Sequence, residues 1–230
     1  MSITKPYTFA VAGALVALLS FGSAHAAPVI NAQIVANPTS ANVPFTLEDL
    51  GTSLSAGLVS NAPLTTSTNV DVSFTGNSGV YSGDVGGVTR SPLRNADGSY
   101  SNINYFNARA GGSVIMDFNT TLTAFNLLWG SVDPNPASYN TLTFTFSGGG
   151  GSTVITGADV VAGLVGIIPG TTNLAVSISN LTPFDTLTVT ATSEAFEFLT
   201  GTPVPEPGML SLLGLGLIGL AAARRKQRKA

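Results

Sequence analysis

Carboxylates are the side chains of this chain with the best capacity for acid–base chemistry. The 230 residues include no cysteine and one histidine, His25, which stands in a segment that we expect to be removed. The remaining body therefore lacks the groups for a Ser-His-Asp triad, a His-ligated zinc site or thiol chemistry. A glycosidase-like carboxylate pair is the catalytic arrangement left, and the glutamates of the body are Glu48, Glu194 and Glu197. The odd spacing of Glu194 and Glu197 predicts opposite faces of one strand, so we expect a protein that is not an enzyme.

Residues 1–26 have the features of a secretory signal peptide. Lys5 precedes an apolar stretch over residues 9–21, and Ala24-His25-Ala26 is a small-residue cleavage site. Removal after Ala26 would leave Ala27 as the first residue of the exported protein. We therefore expect the secretion translocon to be a partner.

The C-terminal segment has three parts that suit a short-lived membrane anchor. Pro205-Glu206-Pro207 keeps the chain extended, because proline lacks an N–H and disfavours helix in the residue before it. The apolar residues 209–223 follow, and as a helix they span roughly 22 Å, less than the ~30 Å hydrocarbon core. The positive-inside bias predicts that the basic tail stays cytoplasmic and stops transfer; its charges are Arg224, Arg225, Lys226, Arg228 and Lys229.

This arrangement closely resembles the PEP-CTERM sorting signal of Gram-negative bacteria. The resemblance implies that exosortase, a membrane cysteine transpeptidase, cuts an inner-membrane-anchored precursor near Pro205, Glu206 and Pro207. It also implies release to the cell surface or exopolysaccharide matrix, with a structural role in the biofilm or envelope. The alternative is an ordinary tail anchor that two prolines happen to precede.

The exported body is acidic. Eleven carboxylates face three arginines between residues 27 and 203, a net charge of about −8, although the full chain carries −3. Such a field repels nucleic acid and anionic lipid, so neither is an expected partner. Without cysteine the fold cannot rest on disulfides and must rest on its apolar core.

Short alternating runs predict an all-β body. Residues 69–74, 112–118, 122–129, 141–146, 174–178 and 187–191 read as strands, and the apolar run 122–129 suggests burial on both faces. Their spacing favours an antiparallel, jelly-roll-like β-sandwich. Gly148 to Gly151 predict a hairpin loop, and Thr156 with Asp159 predicts a capped helical turn. The expected division is signal peptide 1–26, sandwich 27–200, stalk 201–208, a single short transmembrane helix 209–223 and tail 224–230.

Trp129 and Tyr139 are the candidate carbohydrate contacts. Aromatic faces pack on pyranose rings, which makes a module that binds matrix polysaccharide the alternative function. The competing interpretation is a core tryptophan at a strand end. The segment from Phe125 to Asp133, followed by Tyr139-Asn140-Thr141, also resembles a subset of PEP-CTERM surface proteins. This resemblance supports a surface protein and gives no catalytic residue to carry over.

The remaining polar groups allow two interpretations each. Residues 95–99, Asn-Ala-Asp-Gly-Ser, could be a fragment of a calcium loop but fit an Asp-Gly turn better, so no metal or cofactor is expected. Arg90, Arg94 and Arg109 are expected to pair with acids, with a small anion site as the alternative.

Overall fold

The computed structural model describes residues 27–137, 139–168 and 171–202. Strands dominate this part of the chain, and its one helix is α1 (Gly157–Val161). The strands are β1 (Val29–Ile34), β2 (Gly57–Ser60), β3 (Leu64–Thr65), β4 (Asp71–Thr75), β5 (Gly79–Ser82), β6 (Asp84–Val85), β7 (Thr89–Arg90), β8 (Tyr105–Ala108), β9 (Ser113–Leu122), β10 (Phe125–Trp129), β11 (Asn140–Phe146), β12 (Ser152–Thr156), β13 (Leu174–Ser179), β14 (Phe184–Ala191) and β15 (Phe196–Thr200). The prediction of a β-rich, antiparallel body is confirmed.

Two large sheets contain most of these strands. The order is β1-β13-β10-β15-β8-β5-β2 in the seven-stranded sheet and β12-β11-β14-β9-β4-β3 in the six-stranded sheet. β6 and β7 form a separate two-stranded ribbon. All the pairings between these strands are antiparallel.

One apolar core lies between the two large sheets. Phe106, Leu127 and Phe198 contribute from the seven-stranded sheet, and Met116 and Phe144 from the six-stranded sheet. Aromatic rings bridge the two layers: Phe125 meets Phe144 edge-on with 5.7 Å between ring centres. The inner faces of the sheets therefore pack against each other.

The outer face of the six-stranded sheet is polar, as the alternation in residues 141–146 predicts. Leu142 and Phe144 of β11 are buried, whereas Thr141, Thr143 and Thr145 point the other way. The three threonines lie opposite three more on β14, namely Thr190, Thr188 and Thr186. This face is wet, in agreement with a sheet buried on one side.

The central strands of the seven-stranded sheet, β10, β15, β8 and β5, are buried on both faces. A second apolar cluster covers its outer side and includes Val43, Leu93, Tyr105, Leu128 and Leu199. The prediction that the run 122–129 is buried on both faces is confirmed for Leu127 and Leu128, which belong to different clusters.

The run 122–129 is not one strand, however. β9 ends at Leu122 and β10 begins at Phe125, because the chain leaves one sheet there and enters the other. Hydrophobic pattern alone does not mark such a crossing, since the residues on both sides of it are buried.

The two predicted connections are present. Gly148 to Gly151 join the antiparallel pair β11 and β12. Thr156 caps α1: its hydroxyl accepts the Asp159 N–H, and the Asp159 carboxylate accepts the Thr156 N–H at 2.8 Å.

Both ends of the described chain lie at the same end of the strands in the seven-stranded sheet. Ile30 is level with Ile178 and Phe125, and the Gly201 N–H donates to Asn126 O at 2.7 Å. The start of β1 and the end of β15 are three strand spacings apart, roughly 14 Å.

Several predictions lie outside the described residues. They are the signal peptide, the Pro-Glu-Pro element, the apolar segment 209–223 and the basic tail. Over residues 27–137, 139–168 and 171–202, no helix has the length and apolar character needed to cross a membrane.

Candidate functional site

Glu197 is the centre of a buried polar cluster on the outer side of the seven-stranded sheet. It stands in β15 between Phe196 and Phe198, which enter the core between the sheets, so alternation directs the carboxyl group to the opposite face. Only 3% of Glu197 is exposed. The Arg90 N–H donates to Oε1 at 3.0 Å and the Ser131 hydroxyl donates to Oε2 at 2.7 Å.

Burial raises the pKa of Glu197 to about 7, because removal from water disfavours the charged form. The hydrogen bonds from Ser131 and from the Arg90 N–H oppose this shift, since they favour the carboxylate. Glu197 is therefore mostly neutral in acidic conditions and titrates near neutrality.

A hydrogen-bond chain lies beside Glu197. The Tyr105 hydroxyl donates to Gly83 O at 3.1 Å and is 2.9 Å from the Thr89 hydroxyl, which accepts from Asn107 Nδ2 at 2.6 Å. Burial raises the pKa of Tyr105 above its ordinary value. These bonds fasten the β6–β7 ribbon onto β8.

The arginines have different partners. Arg109 Nη2 is 2.7 Å from the Glu194 carboxylate, and Arg90 Nε is 3.8 Å from that of Asp84. These two contacts confirm the predicted pairing of arginine with acid.

Arg94 departs from that prediction. Its guanidinium carbon lies 3.5 Å from the centre of the Tyr100 ring, a cation–π contact. In the portion of the chain that the structure covers, Arg94 has no carboxylate within 4.0 Å.

Two small cavities border the cluster and share Arg90 and Ser131. The first, of about 130 Å³, is lined by Arg90, Ser91, Arg94, Tyr100, Ser131, Thr171 and Asn173. The second, of about 190 Å³, is lined by Gly87, Val88, Thr89, Arg90, Ser131, Asp133, Glu194, Ala195 and Glu197.

The carboxylates of the second cavity are engaged with the protein itself. Glu194 binds Arg109, and both oxygens of Glu197 accept bonds from protein groups. Glu48, the third glutamate, is also buried and accepts from the Ser67 and Thr68 hydroxyls at 2.7 Å each. Glu194 precedes β15 and lines the same cavity as Glu197, so the prediction that the two glutamates lie on opposite faces of one strand is wrong.

The carbohydrate-contact prediction is wrong for Trp129. Trp129 ends β10, has no exposed surface and stacks on Phe196 with 4.1 Å between ring centres. The competing interpretation, a core tryptophan at a strand end, holds because the inner face of β10 lies between the sheets. Because Trp129 is buried, it cannot form an exposed pair of rings with Tyr139, which is half-buried in the loop before β11.

Residues 95–99 form a turn. The Asn95 N–H donates to Ser99 O, Gly98 has a positive φ of 84°, and the Asp97 carboxylate accepts from the Ser99 N–H and hydroxyl. The Ser99 bonds lower the pKa of Asp97.

Sequence reasoning missed the Glu197 cluster as a site. The one available signal was a glutamate between two phenylalanines in a short strand, a position where alternation buries the neighbours on one face. Because the opposite face is usually wet, that pattern predicts an exposed glutamate. The cover formed by residues 84–94 is visible only in the tertiary structure.

Comparison with known proteins bears on the C-terminal end. A family model, the PEP-CTERM protein-sorting motif, matches residues 203–226. These residues include Pro205, Glu206 and Pro207, the apolar segment and the first basic residues of the tail. No curated protein and no solved structure matches the chain. Exosortase-dependent sorting toward the cell surface is supported by this match, which shows that the chain carries a PEP-CTERM protein-sorting motif.

Proposed function

We propose that this protein is an exported, non-enzymatic component of the cell surface or extracellular matrix, with a structural role in the envelope or biofilm. The observation that carries the proposal is the PEP-CTERM match at residues 203–226. The secretion translocon would export the chain, the inner membrane would hold it transiently, and exosortase would release it near Pro205, Glu206 and Pro207. The exopolysaccharide matrix is the proposed destination.

The body supports a structural role by its chemistry. The described residues contain neither cysteine nor histidine, and their most buried carboxylates, Glu48 and Glu197, are bound by the protein's own groups. The Thr-rich outer face of the six-stranded sheet presents hydroxyls that suit contact with a hydrated, neutral polymer.

We assign the body to the jelly-roll β-sandwiches on its strand order. The eight strands from β8 to β15 alternate between the sheets, except for the β11–β12 hairpin. They give the orders β8-β15-β10-β13 and β9-β14-β11-β12, in which two Greek keys are wound together. β1, β5 and β2 extend the first sheet, and β4 and β3 extend the second.

The sorting step can be tested by intact mass measurement of the protein in membrane and surface fractions of its own cells. We expect a surface form that begins at Ala27 and ends near Pro205 to Pro207. The double variant Pro205→Ala, Pro207→Ala should accumulate in the membrane fraction with its basic tail, because the extended recognition element is lost.

Pro63→Ala is the control, since it removes an exposed proline outside residues 203–226; it should be processed like the natural chain. A membrane-bound natural protein that retains its tail, with no shortened species, would instead identify an ordinary tail anchor and refute the sorting proposal.

A further inference from the structure

The 130 Å³ cavity gathers two of the three arginines of an acidic body. The guanidinium carbons of Arg94 and Arg90 lie 3.5 Å and 6.0 Å from the centre of the same Tyr100 ring. Two cations that approach the same ring repel each other, and a nearby anion would reduce that repulsion.

The protein offsets this charge only in part. Arg90 has Asp84 at 3.8 Å, but both side chains are substantially exposed, so this pair is weak. The Glu197 carboxyl group accepts the backbone N–H of Arg90 rather than a bond from its guanidinium. Glu197 is also mostly neutral below its raised pKa of about 7.

Arg94 has a donor without an acceptor. Its Nε is buried, and within the described ranges nothing accepts its proton. Its Nη1 makes one long bond, of 3.5 Å, to Gly98 O. A buried donor left unpaired is costly, and such groups are usually satisfied by water or a ligand.

Neutral polar side chains line the same space. The Ser91 oxygen accepts the Leu93 N–H at 3.2 Å, which leaves its own proton for another partner. Asn173 is fixed beside the cavity, because its Oδ1 accepts the Ser131 N–H at 3.0 Å. The cavity is thus bordered by two guanidinium groups and by the Ser91 hydroxyl, groups of the kind that bind oxyanions, whereas the Ser131 and Thr171 hydroxyls already donate to Glu197 and to Ile168 O.

We propose that this cavity binds a small oxyanion, a carboxylate, sulfate or phosphate group, held between Arg90 and Arg94. Its volume of about 130 Å³ suits one such group. The group can be a free ion or can project from an acidic polymer. The cavity lies at the Trp129 end of β10, opposite the end of the sheet at which the described chain begins and finishes.

The test titrates the full-length chain, purified in detergent, with sulfate, phosphate, glucuronate and neutral glucose. Calorimetry should show saturable binding of at least one of the three anions and none of glucose. Sulfate or phosphate alone would identify a free-ion site, whereas glucuronate in preference to both would identify the acidic group of a polymer. The absence of saturable binding by all three anions would overturn the proposal.

Variants locate the site. Arg94→Gln should lower the affinity for the anion by about tenfold or more, the usual effect of losing charge-assisted hydrogen bonds. Ser152→Asp, on the exposed start of β12, makes the same change in net charge far from the cavity and should leave the affinity close to the natural value.

Arg94→Lys keeps the charge but loses the planar fork, so it should also weaken binding, and it serves as the test if Arg94→Gln does not fold. Equal affinity in the natural chain and in the folded Arg94 variants would place the anion elsewhere and refute the assignment.

Discussion

At the scale of single residues, Glu197 shows how burial in the fold changes the pKa of a carboxyl group. The carboxyl group is removed from water by residues 84–94, and its oxygens contact Ser131 and the Arg90 backbone. Its pKa rises because burial outweighs these hydrogen bonds. The stability of the fold should therefore depend on pH near neutrality.

The substitution Glu197→Gln should reduce that dependence. The pKa of Glu197 in the folded chain, about 7, is above its ordinary value of 4.5, so the folded state binds this proton more tightly. The resulting stabilisation is complete below about pH 4.5 and is lost as the pH rises through about 7. Relative to Glu197→Gln, the natural chain should lose about 3 kcal/mol of unfolding free energy between pH 4.5 and 8.

Urea unfolding of both proteins at several pH values measures this difference, in which the other titrating groups cancel. Parallel stability curves for the two proteins would show that Glu197 does not titrate in this range.

At the scale of elements, β9 has a central place in the six-stranded sheet, where it pairs with β14 on one side and β4 on the other. Gly112 lies just before β9, in a crowded position. A Cβ there would approach Ser78 Oγ closely and would lie 2.6 Å from Thr75 O. The backbone atom cannot move aside without disturbing the neighbouring strand.

Gly112→Ala should therefore destabilise the fold, by about 1–3 kcal/mol, as expected for an overpacked site. Gly150→Ala in the β11–β12 loop is the matched control, because a Cβ there meets no atom within 4 Å and its φ is compatible with alanine. Chemical unfolding followed by circular dichroism compares the two. The crowding argument fails if Gly112→Ala is as stable as the control.

At the scale of the whole molecule, the described chain is held by the fold up to its last residue. The Thr202 N–H donates to Thr46 O at 2.8 Å, and Pro205 follows three residues later. Three residues reach at most about 10 Å, so an enzyme acting near Pro205 works close to the folded body. This consequence depends on the proposed exosortase cleavage.

An insertion of six Gly/Ser residues between Thr202 and Pro203 should therefore speed release, because it separates the cut site from the folded body. Pulse labelling of the tailed and shortened forms measures the rate. The same insertion after Gly150 lengthens the chain by an equal amount and should leave release unchanged. A spacer after Thr202 that does not alter the rate would show that the body does not hinder the enzyme.

The sequence alone determined the elements whose signals are local. Alternation in residues 141–146 located β11 and its inward faces, Thr156 with Asp159 located the helix cap, and Pro205-Glu206-Pro207 with the segment after it located the sorting motif. Each of these signals lies within a few neighbouring residues, so no knowledge of distant contacts is needed.

The tertiary structure decided which faces are covered. From the sequence, Trp129 could have been an exposed sugar contact, but it lies between the sheets. The pattern around Glu197 predicts exposure to solvent, but this residue lies beneath residues 84–94. The cavity beside Arg94 also depends on the tertiary structure, because Tyr100, Ser131 and Asn173, which line it, come from distant parts of the chain. Burial of this kind arises from long-range packing, for which a local pattern carries no information.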